Sequence, residues 1–479
     1  MKKRPHQPLL IALSLAIAAA VIPMHAGASA PGRVSPGPTP RARCGPGSLP
    51  ESAKGLQGRV PPADIQSGRA AKGYTCNTRI VSQFGKTGGF CVHRYRDGQG
   101  HECAYFDTEL IFPEAFILGK SDATGVWVLD MANPARPVRT AVLRTLAMQS
   151  PHESLSLHVG RGLLASNLGS PATYPGQVDI YDVSHDCRHP GLKATLPIGI
   201  TGHEGAFSPD GKTYWVASPT GTLTAIDVTN PAEPTIVWTG VYHPHGLNIS
   251  DDGNTLFYGD PIYEPGLHTL DVSEVQQRKA NPQVKEIDFF TWDNVSLPQV
   301  PIPVRIAGHP YLVEIDEFAS KGGGGVARIS SDPNAQVGAA RIIDNADVKH
   351  PRLVSNLRLE VHMPANRPKV ANDPGMVSPG QGYAGHYCAV PRRDEPRIVA
   401  CSFIISGLRV FDIRDPFHPR ELAYFNAPVK DTANSNYAMS APAFAPERGE
   451  IWYSDVNEGF FAVRLTNGTA SMAFGPQAR

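Results

Sequence analysis

The chain of 479 residues carries 44 basic and 44 acidic side chains, so its formal charge is zero. Such a balance argues against a nucleic-acid partner or an anionic membrane surface, both of which favour basic patches. Seven cysteines in a chain of this length make disulfides or metal ligation the first question for any compartment assignment.

Residues 1–30 begin with Lys2, Lys3 and Arg4, continue as an apolar run over 9–22, and end on small residues at 28–30. This is the pattern of a secretory signal peptide cut near Ala30. The apolar run is shorter than a bilayer span, and no later segment reaches that length, so the reading is a secreted or periplasmic protein without a membrane span. Losing the leader removes three basic and no acidic residues, which takes the balanced chain to about minus three. Residues 31–54 are rich in proline and glycine and read as a flexible tether. Residues 55–100 match no repeat and are read as an N-terminal extension packed on the body of the protein, placed to supply a strand that closes it. Residues 469–479 form a tail.

The body is a repeat. Residues 202–240 contain four short strands, at 203–208, 213–218, 223–228 and 235–239, separated by the turn sequences PDG, PTG and NPAEP. About forty residues of four-stranded meander is the size of one propeller blade. Copies of its third strand recur at 125–130, 178–182, 223–227, 267–271 and 408–412, ending on Asp130, Asp182, Asp227, Asp271 and Asp412. Two weaker copies lie at 325–330 and 459–465. Seven copies predict an all-β fold, a seven-bladed β-propeller of four-stranded antiparallel blades over residues 101–468. An insertion at about 349–385, rich in proline and glycine, is placed to cross a channel mouth as a lid or rim. The repeated aspartates suit turn capping, because a feature of most blades is explained by what all blades share.

The segments LTAIDVTNPAEP at 223–234 and LRVFDIRDPFHP at 408–419 resemble the LVIVD-repeat propellers, a set of mostly exported bacterial proteins. The resemblance covers roughly residues 100–468. It implies the fold and an exported location, and it names no chemistry, because that family has no single assigned activity.

Histidine spacing carries the functional signal. His152, His203 and His245 each stand eight residues before a hairpin glycine, and His386 stands eight before Asp394 in the corresponding turn. Four blades therefore begin their first strand with histidine, and first strands line the centre of a propeller. Imidazoles converging there suit a transition metal. His101 is a further candidate, because HECAYF resembles HEGAFS at 203–208. His243 and His362 lie near enough in the pattern to join. Glu153 and Glu204 follow register histidines and are placed to orient imidazoles from behind. Blade seven has Ser440 at this position, and in blade five His309 belongs to the opposite end. The bland reading is that such histidines bond backbone carbonyls around the channel and displace water.

In outline the histidine ring is similar to those of the selenium-binding proteins, whose methanethiol oxidase members use copper, and of the carotenoid oxygenases, which hold iron on four histidines. That similarity implies one transition metal, copper or iron ahead of zinc.

In an exported chain seven cysteines point to disulfides. Cys388 and Cys401 face each other across a hairpin and form the best pair. Cys76, Cys91 and Cys103 offer one more bridge between extension and ring, whereas Cys44 and Cys187 have no obvious partners. No nucleophile elbow, phosphate loop or calcium loop is present. Two readings remain. One is a metal-dependent redox or oxygen-handling protein acting on a small molecule. The other is a non-catalytic propeller that binds a protein or glycan at the cell surface. Both are expected to be monomers.

Overall fold

A computed structural model describes residues 37–108, 124–169, 176–199, 202–320, 331–373, 376, 381–429 and 436–475. The leader and residues 31–36 of the tether lie outside the described residues, as does the weak repeat copy at 325–330.

Seven antiparallel sheets form the blades of a propeller. In blade three the order is Glu204–Phe207, Thr213–Ser218, Thr222–Asp227 and Thr235–Gly240, each strand paired with the next. Every blade shifts register once between its third and fourth strands, as at Val128/Leu129, Ala225/Ile226 and Val410/Phe411. A bulge at that point raises the local twist and turns the outer strand away from the axis. Apolar faces of adjacent blades then meet. Ile180 and Val178 of blade two pack with Val216 and Ile226 of blade three, and Trp215 and Ala225 of blade three pack with Leu256 and Tyr258 of blade four.

The third-strand aspartates cap turns. Asp130, Asp182, Asp227, Asp271 and Asp412 each accept the backbone N–H two residues on, at 2.8–3.2 Å. Blade five obeys the same rule at a different place. Its third strand is Ala340–Asp344, and Asp344 accepts the N–H of Ala346. The copy assigned by sequence to 325–330 is therefore displaced, because a long connection with its own two-stranded ribbon, Ala319–Ser320 with Gln336–Val337, precedes the real strand.

Two further boundaries differ from expectation. Blade one starts at Val92–Arg96, inside the stretch read as extension, and the HECAYF segment is its second strand, Glu102–Asp107. Blade five ends on Arg352–Leu357, so the insertion begins after Leu357. It is pinned to the N-terminal segment: Arg41 pairs with Glu360, and Arg59 bonds both oxygens of Asp373 at 2.9 Å.

The N-terminal segment supplies two outer strands. Tyr74–Cys76 adds a fifth strand to blade six. Thr78–Phe84 pairs with Gly459–Leu465 and is the fourth strand of blade seven, so the beginning of the ring completes its last blade.

Three disulfides are formed: Cys44–Cys76, Cys103–Cys187 and Cys388–Cys401. No bridge forms among Cys76, Cys91 and Cys103, and Cys44 and Cys187, which had no obvious partners by sequence, are the residues that Cys76 and Cys103 pair with. Cys76 lies on the outer edge of blade six and meets the tether, Cys103 meets the blade two turn at Cys187, and Cys91 is a buried thiol. Three disulfides fit folding in an oxidising environment. No helix among the described residues is long and apolar enough to cross a membrane.

Candidate metal centre

The first strands of neighbouring blades run side by side around the axis, and parallel bridges join Glu153 to Glu204 and Cys91 to Ala441. His203 and His245 hold equivalent positions there. Each donates its backbone N–H to the second strand of its own blade, to Ala217 and Gly259, at 2.7 Å. The ring centroids of His152 and His203 are 4.5 Å apart, and those of His203 and His245 are 4.8 Å apart. His386 completes the group from blade six and is fully buried.

Two of these rings have their outer nitrogen fixed by the next blade. His245 Nδ1 lies 2.9 Å from the Pro298 carbonyl and His386 Nδ1 2.7 Å from that of Met439. A carbonyl only accepts, so the hydrogen of a neutral ring sits on Nδ1 and the Nε2 lone pair faces the axis. The carbonyl contacts of the bland reading are present, and they leave the inner nitrogens free to bind something else.

Carboxylates meet those nitrogens. Glu153 Oε2 is 3.0 Å from His203 Nε2 and 3.4 Å from His245 Nε2, and Glu153 Oε1 is 3.2 Å from His386 Nε2. Glu317 Oε1 is 3.4 Å from His245 Nε2, and Glu317 Oε2 is 3.0 Å from His386 Nε2. These are ion-pair distances, yet His203 Nε2, His386 Nε2 and Glu153 Oε2 are buried and make no hydrogen bond. The atoms lie beside one another around a shared space instead of aiming at each other. Two donors about 2.1 Å from one ion stand about 3.0 Å apart at right angles and about 3.4 Å apart at the tetrahedral angle. The observed spacings span that interval, so the donor set fits a metal.

The electrostatics follow from the same closeness. Burial works against charge on His386, and Glu153 and Glu317 overcome it and push the ring up to about 10. His245 is raised in the same way, with burial opposed by Glu317 and Glu153. Burial would raise the Glu153 carboxyl, but His203, with His245 and His386, holds it well below the ordinary range. Glu204 has no such help: burial, reinforced by the charges of Glu153 and Glu317, pushes it well above.

Backbone strain marks both central carboxylates. His152, before Glu153, has φ +52°, and Phe318, after Glu317, has φ +47°. Left-handed backbone at such residues costs about 1–3 kcal/mol and persists where surrounding packing imposes it. On the arc without histidine, Phe90 lies 4.5 Å from the His152 ring and 5.2 Å from His386, which makes that side apolar. Ser440 of blade seven is spent within its own blade on Ser454.

The remaining candidates lie elsewhere. His101 sits on the first hairpin of blade one, 2.9 Å from Asp97 and 3.7 Å from Asp186. It misses the axis because its segment is a second strand. The His243 ring lies against Tyr263, centroids 3.8 Å apart and tilted by 31°. His362 uses both ring nitrogens, accepting from Leu359 N and donating to the Tyr383 carbonyl. Glu153 stands among the ring tips and not behind them. Glu204 keeps a buried oxygen with no hydrogen bond, in a space where a Cβ on Gly246 would collide with it.

Sequence reasoning missed Glu317, Phe90 and Gln299. Gln299 occupies the blade five position equivalent to His203 and His245, with its N–H on the Ile315 carbonyl at 2.9 Å and both ends of its buried amide unpartnered. Eight residues on stand Ala307 and then Gly308, both at positive φ. A search by turn spacing, without requiring histidine, finds it. Glu317 ends a second strand of nine residues, His309–Glu317, whose extra length carries it to the axis.

No family model matches the chain, and no curated protein sequence does. Solved structures resemble it in fold. A chain of hydrazine synthase from Kuenenia stuttgartiensis aligns over 80% of this chain and 97% of its own, at 12% identity and a TM-score of 0.49. The Cps50 (Swd1) β-propeller domain of Myceliophteria thermophila aligns over 81% and 98%, again at 12% identity and a TM-score of 0.49.

Proposed function

We propose that this protein is an exported LVIVD-type propeller that holds a transition metal at its axis and uses it for redox or oxygen chemistry on a small molecule. The observation that carries the reading is the set of inward imidazole nitrogens and carboxylate oxygens at ligand spacing, among which His203 Nε2, His386 Nε2 and Glu153 Oε2 are buried without hydrogen bonds. Three disulfides and the leader pattern support export. Mixed imidazole and carboxylate donors favour iron over copper, which prefers softer ligands in its reduced form.

Bound there, such an ion would supply electron transfer or Lewis acidity. The chain supplies the rest. Pro298 and Met439 hold the His245 and His386 rings in one tautomer and orientation. Phe90 excludes water from one side, and Glu204, pushed toward its protonated form by burial, has a proton to offer within the same space.

The test is elemental analysis of protein purified without chelator or affinity tag, beside the His203→Ala/His245→Ala double variant. A transition metal present in the parent and absent from the folded variant is the expected result. His101→Ala is expected to retain it, because Asp97 and Asp186 hold that ring away from the axis. Metal absent from the parent, with no uptake of added iron, copper or zinc, would overturn the reading and return the protein to a binding role at the cell surface.

A further inference from the structure

We infer that the centre is built for two metal ions bridged by Glu153, an inference that rests on the metal-binding reading above and deepens it. The four register histidines by themselves suggest one ion. The carboxylates divide them into two groups.

Each central carboxylate presents its two oxygens in different directions. Glu153 turns Oε1 to His386 and Oε2 to His203 and His245. Glu317 turns Oε2 to His386 and Oε1 to His245. One position is therefore bounded by His386 Nε2, Glu153 Oε1 and Glu317 Oε2. The other is bounded by His152, His203 Nε2 and Glu153 Oε2, with His245 Nε2 3.4 Å from that same oxygen. The ligand atoms of Glu153, Glu317 and His386 all lie within 4.8 Å of one another, as do those of His152, Glu153 and His203, and the two clusters share only Glu153. A single ion would take one oxygen, or both, of each carboxylate from the same side. Here the two oxygens serve different histidines.

Buried charge calls for cations at this centre. Glu153, Glu204 and Glu317 are buried together, and among the described residues the ion-pair partners of Glu153 and Glu317 are histidines only, while Glu204 has none. Buried carboxylates without a lysine or arginine demand compensation from elsewhere. Paired glutamates with histidines from facing elements are also the donor chemistry of di-iron and di-manganese sites in helical bundles, reached here from blades two to six of a propeller. The strained backbone at His152 and Phe318 is then explained, because each aims the neighbouring carboxylate at the axis, Glu153 as the bridge and Glu317 as a ligand to one ion. The ligand class is a pair of divalent first-row ions of the manganese-to-zinc series.

The experiment uses the whole protein, stripped by chelator and dialysed against Mn(II), with bound metal counted by elemental analysis and its spin state followed by electron paramagnetic resonance. Two ions per chain with an exchange-coupled signal is the expected result. In His203→Ala the count should fall from two to one and the signal should become that of an isolated ion, and His203→Gln should do the same if alanine perturbs folding. One ion per chain in the parent overturns the two-ion centre and leaves the metal reading intact. Two ions with no coupling, or a His203 variant that keeps both or loses both while folded, overturns the bridging. No uptake of Mn(II), Fe(II) or Zn(II) overturns this inference and the reading beneath it.

Discussion

Changing Arg341 to alanine is expected to lower the unfolding free energy by about 3–5 kcal/mol, the usual cost of removing one partner from a buried ion pair. The guanidinium bonds Glu314 and both oxygens of Asp316, the latter at 2.8 Å, and lies over the Trp292 ring at 4.1 Å. Its side chain and those of both carboxylates are at most 2% exposed. Without it two carboxylates stay in the interior facing a cavity. The deficit should depend on pH with a definite sign. Burial already pushes the Glu314 carboxyl well above its ordinary value, with Arg341 opposing. Once Arg341 is gone, the folded variant binds a proton that the unfolded chain releases, so its stability rises as pH falls from neutral toward the ordinary glutamate range. Denaturant titrations of parent and variant at pH 7 and pH 5 measure this. A loss below 1 kcal/mol, or a gap that widens at pH 5, would show that the arginine is not holding the carboxylates.

A chain starting at Lys86 is expected to have no cooperative unfolding transition, whereas one starting at Gly37 should melt like the parent. The shorter chain lacks Thr78–Phe84 and so leaves Gly459–Leu465 as an edge strand, with all six residue pairs across that ladder lost. It also lacks Tyr74–Cys76 from blade six, and Glu51, which pairs with the fully buried Arg409. An open ring with an apolar edge strand exposes the surface that blades normally cover, and aggregation competes with folding. Near-ultraviolet circular dichroism and thermal melts compare the two chains. A sharp transition in the shorter one would mean that the ring closes without its N-terminal strand.

Much of this architecture could be read from local pattern. The turn after each third strand is written in a few adjacent residues, an aspartate that accepts the N–H two positions on, so five blades declare themselves by repetition. Blade five escaped because its turn aspartate, Asp344, lies beyond a long connection, and the stretch at 325–330 carries a weak copy of the strand pattern. Blade one was misplaced by one strand because HECAYF copies the residue types of a first strand while pairing as a second. In the same way Cys103 sits near Cys91 in the chain, but strand alternation points it toward Cys187 on another blade.

The sequence by itself determined the repeat and the histidine register, because each depends on spacing within one hairpin. Tertiary structure decided which groups face those histidines. Glu317 arrives from the end of an overlong second strand, Phe90 from the approach to blade one, and the carbonyls of Pro298 and Met439 from the neighbouring blade in each case. None of these lies at a constant distance along the chain from the histidine it touches. The centre is assembled across blades, and contacts across blades are set by ring closure and twist, which no local spacing encodes.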